Sequence, residues 1–269
     1  MLVTPTAHTL EVPGARLHYE LRGSGPLLLL IGAPMGGAFF AGLAEQLAGD
    51  HTVLTYDPRG ISRSTLAGPV AQDTPQLRAD DVRALIEAAG GGRADVFGSS
   101  GGAVTGLALA QRHPGLVRTL VAHEPPLTDL LPDAAEQRAW ADELYRTYTE
   151  EGPDAAFGKF LAGIGVDLGE VVPLELPAPA VAEMRANNAY FFGQMILGTT
   201  RYQPDIAALR SAPARIVIGV GTTNPDQITQ RTSRALAQLL ATTVVAFPGD
   251  HGGFVGQPAE FAEVLRVFV

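Results

Sequence analysis

The stretch Asp95–Val104 constrains the fold of this chain more than any other. It consists of a short apolar run, a turn in which serine stands between glycines, and a second apolar run of helical character. Residues 98–102 read Gly-Ser-Ser-Gly-Gly and fit the pattern G-x-S-x-G, in which the central serine sits on a tight strand-to-helix turn. Such a turn holds the Ser100 hydroxyl beside the positive end of the helix dipole, where a nucleophile is needed. Ser100 is therefore a candidate nucleophile, and a turn that only begins a helix is the alternative.

Strands and helices alternate on either side of this turn. The continuous apolar run Leu27–Ile31 predicts a strand covered on both faces, and regular alternation continues to His123. It then stops, and residues 127–204 show helical patterns without a convincing strand. Strand–helix alternation resumes near Arg215. The pattern predicts an α/β protein in three parts: a core over 1–126, an inserted helical cap over 127–204, and a second core part over 205–269.

The composition excludes several classes of function. A net charge of −9 argues against nucleic acid or an anionic membrane surface as a partner. The chain has no cysteine, so it has neither disulfides nor thiolate metal sites. No motif suggests a metal or another cofactor. The first six residues lack the features of a signal peptide, and Leu27–Ile31 is too short to cross a bilayer. We therefore expect a cytoplasmic protein, whose oligomeric state the sequence does not indicate.

Four segments occur in an order and spacing typical of one family. They are Leu27–Met35, which ends in a glycine-rich loop, Tyr56–Gly60, Gly98–Gly102 after a buried strand, and Phe247–Gly253 before the last helix. With these segments the chain resembles the α/β-hydrolases along nearly its whole length. The resemblance implies a mostly parallel, doubly wound sheet with an inserted helical cap. It also implies a catalytic serine, acid and histidine in that chain order.

The resemblance places the catalytic histidine at His251, on the loop after the last strand. The acid is less plain, because the usual aspartate position is occupied by Asn224, an amide that cannot offset the charge of an imidazolium. Two carboxylates are available instead. We favour Glu124, at the end of the preceding strand, because two prolines fix the backbone after it and its side chain is long. Asp226, just beyond Asn224, is the alternative.

Two further sets of site residues follow from the resemblance. An oxyanion hole needs two backbone N–H groups, for which we expect Gly101 and Ala33. Met35 is the alternative to Ala33, because Pro34 between them has no N–H. The predicted cap is rich in aromatic residues and methionines, and some of them should line an apolar pocket above Ser100. We assign this role to Trp140, Tyr190, Phe191 and Met195.

These features together predict a serine hydrolase. We expect it to cleave a small to medium, mainly apolar carboxylic ester or lactone through an acyl-enzyme, with no cofactor. Acyl transfer or perhydrolysis with the same triad is one alternative. A non-catalytic ligand-binding protein on a hydrolase fold is another. Epoxide hydrolases and dehalogenases need a carboxylate where Ser100 stands, so these activities are not expected.

Overall fold

The structure is a computed structural model and describes residues 4–68, 72–163 and 177–269. Within these ranges nine strands form a single sheet. Their bounds are β1 Thr6–Val12, β2 Ala15–Arg22, β3 Leu27–Ile31, β4 Thr52–Tyr56, β5 Thr65–Leu66, β6 Ala94–Ser99, β7 Val117–His123, β8 Arg215–Gly221 and β9 Val244–Phe247.

The sheet is mostly parallel. Its strand order is β1-β2-β4-β3-β6-β7-β8-β9, and β5 pairs with β2 off this path. Strand β2 is antiparallel to β1, β4 and β5, whereas β4, β3, β6, β7, β8 and β9 are parallel to their neighbours within that group. The chain reverses its direction of travel across the sheet between β3 and β6. In open α/β sheets, ligands bind outside the carboxyl ends of the strands at such a switch point.

Eleven α-helices accompany the sheet in the same ranges. They are α1 Ala41–Leu47, α2 Pro75–Ala88, α3 Gly101–Arg112, α4 Ala134–Glu151, α5 Pro153–Gly163, α6 Ala178–Tyr190, α7 Ile196–Thr200, α8 Ile206–Ser211, α9 Ile228–Leu239, α10 Gly253–Gly256 and α11 Pro258–Leu265. Helix α2 begins at a capped turn: the Thr74 side chain accepts a hydrogen bond from the Leu77 N–H, and proline follows at the first helical position. A π-helical turn, Phe191–Met195, joins α6 to α7.

Strand β3 shows why its sequence is a continuous apolar run. Leu28 and Leu30 point to one face of the sheet and pack with residues of α1 and α11. Leu29 and Ile31 point to the other face and pack with residues of α2 and α3. All four side chains are fully buried, because successive residues of a strand face opposite sides and both sides are covered. The predicted fold class, a mostly parallel doubly wound sheet, is confirmed.

The helices between β7 and β8 are the part that the sequence assigns to a cap. The described residues of 127–204 contain no strand; they contain a short 3₁₀ turn, helices α4 to α7 and the π-helical turn between α6 and α7. Residues 164–176 of the predicted cap lie outside the described residues, as do residues 1–3 at the start of the sequence. We retain the division into 1–126, 127–204 and 205–269 as a proposal.

Polar contacts fasten these helices to the core. The side chain of Asn187 accepts a hydrogen bond from the Ser62 N–H at 2.8 Å and donates one to its hydroxyl at 3.1 Å. In α7, the hydroxyl of Thr199 accepts a hydrogen bond from Arg78 of α2 at 2.8 Å. Arg78 is buried and pairs with Asp73 at 2.6 Å. Helices α6 and α7 are therefore held in place by hydrogen bonds as well as by apolar contact.

Candidate active site

Ser100 stands between β6 and α3 in a strained backbone conformation. Its φ is 57° and its ψ is −126°, a region that non-glycine residues adopt at a cost of about 1–3 kcal/mol. The surrounding glycines are required by space. A Cβ atom added to Gly102 would lie 2.1 Å from the carbonyl oxygen of Ile31, and one added to Gly98 would lie 2.6 Å from that of Gly102. These two positions therefore have no room for a side chain, and Ser100 lines a cavity.

Glu124 follows β7 and turns toward β8. Its φ is 51°, and its backbone N–H donates to the Gly219 oxygen at 3.1 Å. The carboxylate is fully buried and accepts three hydrogen bonds. Oε1 accepts from the Gly221 N–H at 2.8 Å, and Oε2 accepts from the Thr229 hydroxyl at 2.7 Å and from Nδ1 of His251 at 2.6 Å. Every donor lies on a different segment, so the carboxylate ties three parts of the site together.

Burial alone would raise the pKa of Glu124. The hydrogen bond from His251, the positive charge that His251 can carry and the Gly221 N–H outweigh burial and lower this pKa to about 2. Glu124 is therefore ionised at neutral pH. An ionised carboxylate on Nδ1 holds the imidazole in one orientation and stabilises its protonated form.

His251 lies on the loop after β9. This loop is braced by Asp250, whose carboxylate accepts a hydrogen bond from the Gly252 N–H at 2.8 Å. With Nδ1 donating to ionised Glu124, Nε2 of the neutral ring carries the free lone pair and can accept a proton. The His251 side chain is 27% exposed and lines the same cavity as Ser100. The structure thus brings Ser100, His251 and Glu124 to one end of the sheet.

Asp226 is not brought to His251. It is exposed on the loop before α9 and lines an adjoining groove with Asn224 and Arg231. No hydrogen bond joins it to His251 in the part of the chain that is described. Of the two candidate acids, Glu124 is therefore the one that contacts the histidine.

The loop after β3 approaches the start of α3 closely. A Cβ atom added to Gly101 would lie 2.4 Å from the carbonyl oxygen of Ala33. Ala33, Met35 and Gly101 all line the cavity. Within residues 4–68, 72–163 and 177–269, neither the Ala33 N–H nor the Gly101 N–H donates a hydrogen bond to a backbone or side-chain acceptor. Two unused backbone donors beside Ser100 are what an oxyanion hole requires.

The cavity has a volume of about 220 Å³ and a mainly apolar wall. Most of its larger apolar side chains come from the helices between β7 and β8 and from α9; these are Trp140, Phe157, Phe160, Phe191, Ile196 and Ile228. Two of the predicted pocket residues, Trp140 and Phe191, are among them. Phe157 and Phe160 were not assigned to the site, although their i, i+3 spacing on α5 places them on one helix face.

Tyr190 and Met195 do not line this cavity, and their predicted assignment is corrected. The ring of Tyr190 packs against Gly60, where an added Cβ atom would lie 2.5 Å from it. Met195 is buried with Ala33 and Ile61. Adjacent helical residues point about 100° apart, so Tyr190 faces the core while Phe191 faces the cavity. The π-helical turn between Phe191 and Met195 further changes which residues share a face.

A family model for the alpha/beta hydrolase fold matches residues 25–173, more than half of the chain. The chain belongs to the alpha/beta hydrolase fold family. Its curated relatives in this family include the uncharacterized hydrolase YraK of Bacillus subtilis, 35% identical over 96% of this chain and 94% of the relative. They also include a zearalenone hydrolase of Bionectria ochroleuca, 28% identical over 97% of this chain and 96% of the relative.

Solved structures agree with this membership. An alpha/beta hydrolase from Sphaerobacter thermophilus is 26% identical, with a TM-score of 0.69, over 94% of this chain and 99% of that chain. A thermophilic esterase from Thermogutta terrifontis has a TM-score of 0.73 at 20% identity, over 98% and 97% of the two chains. At that lower identity the likeness shows the fold alone.

His123 packs against His251, although the sequence analysis did not assign it to the site. His123 is fully buried, and its ring stacks on that of His251 with centroids 6.2 Å apart and an angle of 26°. Its Nδ1 lies 3.2 Å from the Ser99 hydroxyl. Burial lowers the pKa of His123 to about 3, so the ring is neutral and packs behind His251 without adding a like charge. In the sequence, the feature that indicates this placement is the position of His123 at the carboxyl end of β7.

Residues 4–68, 72–163 and 177–269 hold no group of three or more histidine, aspartate or glutamate side chains placed to bind a metal ion. Among the helices in those ranges, none is both long and apolar enough to cross a membrane.

Proposed function

We propose that this chain is a serine hydrolase that cleaves a small to medium, mainly apolar carboxylic ester or lactone. The observation that carries the proposal is the hydrogen bond of 2.6 Å between Nδ1 of His251 and Oε2 of buried Glu124. It orients the imidazole in a cavity that Ser100 also lines. A serine on a strained turn, an oriented histidine and a buried carboxylate are the three parts of a catalytic triad.

In the first half of the reaction, Ser100 Oγ attacks the carbonyl carbon of the substrate. His251 Nε2 takes up the hydroxyl proton, and Glu124 stabilises the resulting imidazolium. The tetrahedral oxyanion accepts hydrogen bonds from the N–H groups of Gly101 and Ala33. The bond to the leaving oxygen then breaks, His251 returns the proton to that oxygen, and an acyl-enzyme remains.

In the second half, water replaces the alcohol. His251 accepts a proton from the water as its oxygen attacks the acyl carbon, and Ser100 receives that proton when its ester bond breaks. A linear ester yields an acid and an alcohol, and a lactone yields one hydroxy acid. Side chains and water supply every proton and electron pair, so the mechanism calls for no cofactor.

The helices between β7 and β8 act in this proposal as a lid. Trp140 of α4 and Phe157 of α5 contribute to the wall of the cavity that Ser100 also lines. An apolar lid excludes water around the reacting carbonyl and strengthens the hydrogen bonds to the oxyanion. The apolar wall also favours an uncharged substrate.

Labelling with a fluorophosphonate probe tests the proposal, with the modified peptide mapped by mass spectrometry. We expect covalent labelling at Ser100 and its loss in Ser100→Ala. Glu124→Gln should slow labelling strongly, whereas Asp226→Asn is the matched control and should label at the parent rate.

A folded parent that fails to label and fails to hydrolyse short p-nitrophenyl esters would contradict the proposal and favour a ligand-binding protein on this fold. Labelling without hydrolysis, combined with transfer of the acyl group to an added alcohol or to hydrogen peroxide, would favour an acyltransferase or perhydrolase.

A further inference from the structure

The apolar cavity contains two amide side chains without hydrogen-bond partners. Asn188 of α6 lines the cavity and is only 9% exposed, and no described residue forms a hydrogen bond with its side chain. Gln227, which precedes α9, also lines the cavity. Its Oε1 is buried with no partner, and its side chain does not cap the helix.

Apart from Ser100 and His251, the other polar side chains of the wall each form at least one hydrogen bond within the protein. The Thr128 hydroxyl donates to the Thr200 oxygen at 3.1 Å, and the Thr200 hydroxyl donates to the Ile196 oxygen at 2.9 Å. Thr229 is bound to Glu124, Thr199 to Arg78, and Gln137 to Asp133. Asn188 and Gln227 are therefore the lining amides whose side chains form no hydrogen bond with another described residue.

A buried polar atom without a partner, such as Gln227 Oε1, is costly for the empty site. Such a group loses its hydrogen bonds to water without replacing them, and a ligand that supplies a partner removes that loss. An amide presents both donors and an acceptor. A hydroxyl group also donates and accepts, so it can pair with an amide through either end.

The size and shape of the wall limit the rest of the ligand. An apolar cavity of about 150 Å³ holds benzene, so a cavity of about 220 Å³ has room for one ring and a short substituent. Trp140, Phe157, Phe160 and Phe191 present aromatic rings to it. Aromatic pairs prefer stacked or edge-to-face contacts that suit a flat ring.

We infer that Asn188 and Gln227 select substrates whose aromatic ring carries a hydroxyl group, so that the substrate class is a hydroxyaryl ester or lactone. The inference rests on the proposed function and names the substrate of the same site. The ring occupies the cavity that the four aromatic side chains line, and its hydroxyl pairs with the Gln227 amide, the Asn188 amide or both.

The test compares methyl phenylacetate with its 2-, 3- and 4-hydroxy counterparts as substrates of the parent protein. Because an unpaired buried polar group penalises a ligand that lacks its partner, we expect kcat/KM for one hydroxy isomer to exceed that of the parent ester by about 10- to 100-fold. Asn188→Leu and Gln227→Met should each bring this ratio toward one. Gln238→Met is the matched control, because Gln238 is exposed on α9, the helix that follows Gln227.

A binding assay makes the result independent of catalysis. Trp140 is the only tryptophan of the chain and lines the cavity, so its fluorescence in Ser100→Ala reports occupancy. The preferred hydroxy isomer should bind Ser100→Ala more tightly than the unsubstituted ester. Equal affinity and equal kcat/KM for all four esters would overturn the inference.

The two proposals fail separately. A parent protein that labels at Ser100 and cleaves all four esters at similar rates refutes the substrate inference alone. A parent protein that neither labels nor cleaves any ester refutes the proposed function, and the Ser100→Ala binding ratio then still decides whether the amides select a hydroxyl group.

Discussion

Glu124→Gln removes the buried charge on which the site depends, and its effect on folding stability varies with pH in a way that can be calculated. The Glu124 pKa falls from its ordinary value of 4.5 to about 2, because the His251 and Gly221 hydrogen bonds outweigh burial. The unfolded chain therefore takes up this proton near pH 4.5 and the folded chain only near pH 2. The carboxylate stabilises the folded protein above pH 4.5, and this contribution is lost as pH falls toward 2.

The pKa difference gives the magnitude. At 1.36 kcal/mol for each pH unit between the two pKa values, ionised Glu124 contributes about 3 kcal/mol to the free energy of unfolding. About 2 kcal/mol of this is already lost at pH 3, because most unfolded chains are protonated there and most folded chains are not. The Gln side chain has nearly the same size but cannot ionise, so it lacks this pH dependence.

Urea unfolding followed by circular dichroism between pH 7 and pH 3 measures the effect. We expect the stability difference between the parent and Glu124→Gln to change by about 2 kcal/mol over this range, in favour of the variant at low pH. Asp226→Asn is the control and should run parallel to the parent, because exposed Asp226 is separate from the buried network. Parallel curves for the parent and Glu124→Gln would refute the described pairing of Glu124 with His251.

Three further substitutions test the packing around the site. Gly102→Ala should destabilise the protein by roughly 1–3 kcal/mol in urea unfolding, because its Cβ atom would meet the Ile31 carbonyl. Gly115→Ala is the control and should not destabilise the protein, because no atom lies within 4 Å of the added Cβ. Thr199→Val leaves buried Arg78 without one acceptor and should cost about 1–3 kcal/mol, whereas Thr149→Val at an exposed site of α4 should change stability by about 0.5 kcal/mol or less. Leu29→Ala in the core should lower the free energy of unfolding by about 2–5 kcal/mol. Leu239→Ala should lower it much less, because the Leu239 side chain is 40% exposed. If the two variants of any of these three pairs lost similar stability, the assigned packing would be contradicted.

Several features of the site could be predicted from short stretches of sequence. The glycine neighbours of Ser100 predict the turn, because other parts of the backbone approach these positions too closely for a side chain. The buried strand β3 was identified by its continuous apolar run, since a strand covered on both faces has no polar side. His251 was assigned through the resemblance, and the structure brings it to the same cavity as Ser100.

The pocket shows where such local reasoning ends. Trp140, Tyr190, Phe191 and Met195 are all large apolar residues of the predicted cap, and composition does not distinguish them. The structure turns Trp140 and Phe191 to the cavity and Tyr190 and Met195 to the core. A change of helix type at Phe191–Met195 shifts the helical faces, and no sequence signal marked it.

The alternating fold class and the serine turn follow from local sequence, because strand burial, helix periodicity and backbone strain act over a few residues. The contact of the histidine with Glu124 rather than Asp226 depends on the folded chain. Glu124 and His251 are 127 residues apart in the chain, and Glu124 and Thr229 are 105 apart. They meet because β7 pairs with β8 and β8 with β9. The carboxyl ends of these parallel strands therefore lie at one edge of the sheet, which side-chain chemistry alone does not specify.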